Sequence, residues 1–149
     1  MIRLLTTYDF KAWLKIAGEV EPLFGPMVHS KGFHFGIRQC IRKHNAFGIE
    51  DETNEIAGII AIDRKKNEIL WLAVREKSRG KKYGETLLRK AIEELDNKKE
   101  IIVQTFAEGV KGGTIARILY EKNGFTDQIS MGKNPAGLET VRMVRKESL

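Results

Sequence analysis

Residues 74–88 read VREKSRGKKYGETLL. The run begins at the end of an apolar stretch, ILWLAV at 69–74, crosses a basic turn with glycines at 80 and 84, and enters a segment where Tyr83, Leu87, Leu88, Ala91, Ile92 and Leu95 recur at helical spacing. The strand-like EIIVQTF follows at 100–106. Strand, turn, one-faced helix and strand make a βαβ unit, which requires its two strands to be parallel. The turn then lies at the carboxyl end of the first strand. N–H groups in a helix's first turn lack intrahelical partners, and the helix dipole favours negative charge there. A compact anion, a pyrophosphate for example, suits such a turn.

Working outward, MIRLL reads as a first strand, and YDFKAWLKIAGEV sets Phe10, Trp13, Leu14, Ala17 and Val20 on one helical face with Thr6 or Thr7 as N-cap. Pro22 and Pro26 are expected to end that helix. Phe33, Ile37, Cys40 and Ile41 fit a second, short helix. NAFGIE and EIAGIIAIDR flank the polar DETN and predict a hairpin, with ILWLAV as a third antiparallel strand expected to be covered on both faces. Ile115, Ile118, Leu119 and Lys122 mark a further helix ended by Asn123-Gly124, and two last strands flank Pro135-Ala136-Gly137. The expected fold class is α/β: one mixed, mostly antiparallel sheet with a central parallel βαβ step flanked by helices, forming a single domain over 1–149.

Hydrophobic residues make up 42% of the chain and charged residues 31%, the balance of a globular domain. The single cysteine, Cys40, forms no intrachain disulfide, and on its helical stripe it reads as a small buried hydrophobe. MIRLLTTYDF has no signal-peptide core, and IAGIIAI at 56–62 is too short to cross a bilayer, so the expected location is cytoplasmic with no membrane partner. The net charge is +6, but residues 75–90 hold seven cations, Arg75, Lys77, Arg79, Lys81, Lys82, Arg89 and Lys90, against Glu76 and Glu85. Charge so concentrated favours a compact anionic ligand over nucleic acid. An RNA-binding reading, permitted by the basic composition, lacks aromatic and basic residues interleaved on a strand face.

VREKSRGKKYGETLL, followed about thirty residues later by ARILYEKNGF, resembles the GCN5-related N-acetyltransferase (GNAT) superfamily, which binds acetyl-coenzyme A (acetyl-CoA) and acetylates amines. The superfamily's Q/R-x-x-G-x-G/A turn is met by Arg79 and Gly84 and broken at Lys82, where the middle glycine should stand. Its A-x-x-x-Y-x-x-x-G-F helix end is met by Ala116, Tyr120, Gly124 and Phe125, while the asparagine common three residues before the alanine is Gly113.

The resemblance implies roles. Backbone N–H groups of Gly80, Lys81, Lys82, Tyr83, Gly84 and Glu85, with Arg79, would hold the coenzyme pyrophosphate, and the main chain of Leu72, Ala73 and Val74 would pair with the pantetheine arm. The Leu72 N–H would face the thioester oxygen. Tyr120 takes the position of the acid that protonates the leaving sulfur, with core filling as its plainer alternative. Glu68, heading E-I-L-W-L-A-V as the base does in histone-type members, is the candidate base; His29 and His34 compete for that role. Phe24, Met27, Phe33 and Phe35 form either an apolar wall for the acceptor or a pin for their loop. Lysine at 82 is expected to cost nothing if the residue lies in the first helical turn with negative φ. The implied acceptor is a small-molecule or peptide amine, and ETVRMV at 139–144 offers a strand for a possible homodimer. A coenzyme A-binding regulatory domain without turnover is the alternative that the altered glycine and asparagine permit.

Overall fold

The computed structural model describes residues 1–148. After β1 (Ile2–Leu4) come α1 (Phe10–Phe24) and α2 (Lys31–Arg42), then a meander of β2 (Ala46–Glu50), β3 (Ile56–Asp63) and β4 (Glu68–Val74). α3 (Tyr83–Glu94) crosses to β5 (Ile101–Phe106), and α4 (Thr114–Lys122) leads to the β6 (Phe125–Lys133) and β7 (Glu139–Arg145) hairpin. The seven strands form one sheet in the order β1-β2-β3-β4-β5-β7-β6, antiparallel throughout except for β4 beside β5. No helix among the described residues is long and apolar enough to cross a membrane.

Local chemistry sets the helix ends. Thr6 and Asp9 form a reciprocal capping box on a short 3₁₀ turn that feeds α1, and Ser30 Oγ accepts from the Phe33 N–H at 3.1 Å to start α2. Pro22 does not end α1. It lies inside the last turns, where its missing N–H withholds only the bond to the Gly18 carbonyl, and the helix runs to Phe24 before Gly25 turns the chain with φ of 105°.

The helices cover the two faces of the sheet. α3 and α4 enclose Leu87, Leu88, Ala91, Tyr120 and Phe125 against Ile60, Ile62, Ile69 and Val103, while α1 and α2 enclose Trp13, Ile16, Ile37 and Ile41 against Ile59, Ala61 and Ala73. β2 and β3 are buried on both faces. β4, expected to be so, is not: Leu70 is 48% exposed, and Trp71 and Leu72 are half-buried. The reason is a bulge. Trp71 pairs with Ala61 and Ile69 with Ile62, which leaves Leu70 as an extra residue that bends β4. The β4–β5 ladder accordingly consists of Glu68 beside Ile102 and Ile69 beside Val103, and the strands diverge beyond it, while β5 stays paired with β7 to its end.

Candidate active site

A cavity of about 740 Å³ fills the divergence between β4 and β5. Its β4 wall runs from Leu70 to Val74, its β5 wall from Val103 to Phe106. The Arg75 N–H donates to the Ala57 carbonyl of β3 at 2.7 Å, and N–H groups alternate along a strand, so those of Val74 and Leu72 point away from β3 into the cavity. These are unpaired peptide groups on a sheet edge, the arrangement an extended ligand with amides of its own completes.

One end of the cavity is the turn before α3. Among the described residues, the N–H groups of Gly80, Lys81, Lys82, Tyr83, Gly84 and Glu85 donate to no other group; the next, that of Thr86, bonds back to the Lys82 carbonyl at 3.1 Å. Free donors at a helix N-terminus form a ready anion cradle. Of the seven cations clustered there in sequence, five have carboxylate partners: Arg75 and Lys77 with Glu55, Lys81 with Glu52, Arg89 with Glu85 and Lys90 with Glu94. Arg79 and Lys82 have none, and these two line the cavity. Lys81 keeps its N–H for the cradle, but its side chain turns away to Glu52.

Lys82 is not in the first helical turn. It is the N-cap of α3, with φ of 64° and ψ of 18°, in the left-handed region. The expectation of negative φ fails, and with it the idea that lysine costs nothing here: for a residue with a Cβ this conformation costs about 1–2 kcal/mol. Gly113, the second departure, has a steric cause. A Cβ at that position would lie 2.5 Å from the Phe106 Cβ, so the packing of Phe106 excludes any side chain.

Tyr120 is 4% exposed, lies edge-on to Phe125 at 5.5 Å between ring centres, and also lines the cavity. Burial pushes its phenol pKa well above the ordinary value. Glu68 does not line the cavity. It stands at the closed end, two residues below Leu70, or about 7 Å of strand. Burial raises its pKa, with Asp63 adding to the effect and Lys66 and Arg142 opposing it. Among the described residues Glu85 is the one carboxylate in the lining, and its hydrogen bond from Lys122 at 3.0 Å, with Arg89 near, holds its pKa below the usual range.

The histidines are not brought to the cavity. His29 is exposed, and His34 donates from Nε2 to the Val28 carbonyl at 2.6 Å, tying down the segment between α1 and α2. Cys40 also lies outside, half-buried on the α1–α2 side, with its thiol pKa raised by burial. Phe24, Met27 and Phe33 do reach the cavity, whereas Phe35, 62% exposed, does not. Several lining residues escaped the sequence reading, among them Trp71, Phe106, Gln104 and Asn134. Trp71 and Phe106 sat in apolar strands taken for core; Gln104 and Asn134 carried only weak signals, a lone polar residue in a strand and a residue before a turn.

The profile of the acetyltransferase (GNAT) domain matches residues 42–127, more than half of the chain. The chain belongs to the GNAT acetyltransferase family. Acetyl-CoA is the acyl donor of that family, and the free N–H groups of the α3 turn and the open edge of β4 fit its pyrophosphate and its amide-bearing arm. Solved structures share the fold. The ribosomal-protein-alanine N-acetyltransferase of Brucella melitensis superposes with a TM-score of 0.76 at 19% identity, over 98% of this chain and 99% of that one. A chain of the NatC complex bound to Gag peptide and CoA gives 0.76 at 19% over 99% and 98%. The PaiA N-acetyltransferase of Thermoplasma acidophilum, in complex with coenzyme A, gives 0.66 at 21% over 98% of each chain. A comparison with curated protein sequences finds no match.

Proposed function

We propose that this acetyltransferase moves the acetyl group of acetyl-CoA to a small-molecule or peptide primary amine by direct attack of the amine. The observation that carries the reading is the slot in the sheet, with free N–H donors at its α3 end and an apolar, aromatic wall at the other. Bound acetyl-CoA supplies a thioester whose acyl carbon the amine attacks. Among the described residues no histidine and no cysteine lines the cavity, so the reading needs no acyl-enzyme on a thiol or a histidine-activated nucleophile.

The residues divide the work. The Leu72 N–H, aimed into the slot, stabilises negative charge on the acyl oxygen. An alkyl ammonium, with a pKa of about 10, has no lone pair until it loses a proton. Glu68 takes that proton through a water, since residue 68 stands two residues, or about 7 Å of strand, below Leu70 and outside the cavity lining, and its raised pKa makes it a better base near neutral pH than an ordinary glutamate. Tyr120 donates its O–H to the departing sulfur. Its raised pKa keeps that proton in place at every working pH, and full transfer to a thiolate of ordinary pKa, about 8.5, is uphill, so its contribution is a hydrogen bond at the sulfur.

Free-thiol release from acetyl-CoA, followed across a panel of amines, tests the proposal. Release that saturates in both substrates and requires the amine supports it. Tight acetyl-CoA binding with no amine-dependent release favours a binding domain without turnover.

A further inference from the structure

Resting on the transferase reading above, we propose that the acceptor end of the slot is an aromatic box that takes a small primary monoamine with an uncharged aromatic body. Trp71 stands at its centre. The Phe24 ring lies edge-on to Trp71 at 5.8 Å between centres and an interplanar angle of 83°, Phe33 lies at 6.2 Å, and Phe24 in turn meets Phe106 at 6.1 Å. All four rings line the cavity. They are braced from behind: Trp13 supports Trp71 at 5.7 Å, and the buried Arg117 donates from Nη1 to the Phe106 carbonyl at 3.0 Å. An aromatic guest gains from such walls both apolar burial and edge-to-face packing.

Charge selects against other amines. The charged side chains in the lining are Arg79, Lys82 and Glu85, and all belong to the α3 turn at the opposite end. The polar side chains at the box end are neutral: Gln104 Nε2 donates to Thr140 Oγ1 at 3.0 Å and Thr140 Oγ1 donates to the Gly132 carbonyl at 2.8 Å, while the buried Trp71 Nε1–H has no acceptor among the described residues. A polyamine or a free lysine would bring a second ammonium against a lining with no carboxylate, Glu68 behind it being already committed through water to the reacting amine, and an unpaired charge taken from water is costly. An amine bearing a carboxylate would find no cation there.

A roof limits length. Asn134 Nδ2 donates to the Leu23 carbonyl at 2.9 Å, and Gly25 presses on the turn between β6 and β7 so closely that a Cβ would stand 2.5 Å from the Pro135 Cβ. The segment after α1 is thereby clasped to that turn over the box, which suits a compact guest better than a chain that must pass through.

The test is calorimetric titration of 2-phenylethylamine, butylamine, spermidine and a short peptide with an N-terminal phenylalanine, each into the free protein and into protein saturated with coenzyme A. The expected result is binding of 2-phenylethylamine at least tenfold tighter than butylamine or spermidine and tighter than the peptide. Phe24→Ala and, as a milder change, Phe33→Leu should each erase at least threefold of that preference, while Phe35→Ala, on the exposed face, leaves it intact. Equal or tighter binding of spermidine, butylamine or the peptide overturns the box. Acetyl-CoA titrated alone is scored separately: failure to bind it removes the transferase reading, and the titrations into free protein still decide the box.

Discussion

Gly113 and Phe106 occupy one space: the Phe106 Cβ, Cγ and Cδ2 all lie within 3.0 Å of where a Cβ on residue 113 would sit. The missing asparagine and the aromatic wall of the cleft are therefore a single adaptation. Gly113→Asn should destabilise the protein by about 1–3 kcal/mol, the usual cost of overpacking, because the Phe106 backbone is held by β7 on one side and Arg117 on the other and cannot retreat. In the Phe106→Gly background, which removes the Cβ as well as the ring, the same substitution should cost at least 1 kcal/mol less. Urea denaturation of the four proteins in the cycle measures the coupling, and simple additivity would refute the shared space.

Lys82 combines backbone strain with a free charge, and the two have opposite consequences. Lys82→Gly should raise stability by about 0.5–1 kcal/mol, the left-handed cost relieved less the added freedom of the unfolded chain, and raise Tm by roughly 1–4 °C. Affinity for acetyl-CoA should fall by about 0.5–1.5 kcal/mol in the same variant, as in Lys82→Ala, and the loss should shrink at high salt. Thermal melting and calorimetry at two ionic strengths separate the effects. A glycine variant that binds more tightly would show that the lysine obstructs the cradle.

Tyr120→Phe removes the donor proposed for the sulfur and keeps the ring packed on Phe125. A fall in kcat of about ten- to a hundredfold is expected, with little change in KM for acetyl-CoA. Because burial raises the phenol's pKa, it loses its proton only above the ordinary value near 10. The wild-type rate should therefore show no alkaline limb from this group up to about pH 10, and an alkaline limb below that pH that vanishes in the Phe variant would contradict the burial argument.

As the proposed base, Glu68 can work only when deprotonated, so the rate should fall as pH drops through its pKa. Burial raises that value, which places the acidic limb above the ordinary glutamate range near 4.3. Glu68→Gln should lower kcat at neutral pH and flatten the limb. If the limb persists unchanged, the proton leaves by another path.

Most of the fold was legible because hydrophobic period and turn chemistry agree along the chain: the stripe from Tyr83 to Leu95, the DETN turn and the Asn123-Gly124 stop each carry their own signal. The cleft was less so. An unbroken run such as ILWLAV reads alike whether its residues face a core or a slot, and the bulge that exposes Leu70 arises from register with β3, which local sequence does not encode. The pairing of Glu52 and Glu55 with the basic turn is equally nonlocal, set where the β2–β3 turn meets the end of β4. The left-handed backbone at Lys82 left no trace in the residue type, since lysine seldom adopts it.

Because β4 and β5 part below the middle of the sheet, the slot passes from one face to the other, bordered by Tyr83, Ala116 and Leu119 on the α3–α4 side and by Val20, Met27 and Phe33 on the α1–α2 side. On the proposed reading, the coenzyme and the amine then have separate doors. Neither must leave before the other arrives, so initial-rate plots should intersect rather than run parallel. Spent coenzyme A should compete with acetyl-CoA while acting as a non-competitive inhibitor toward the amine.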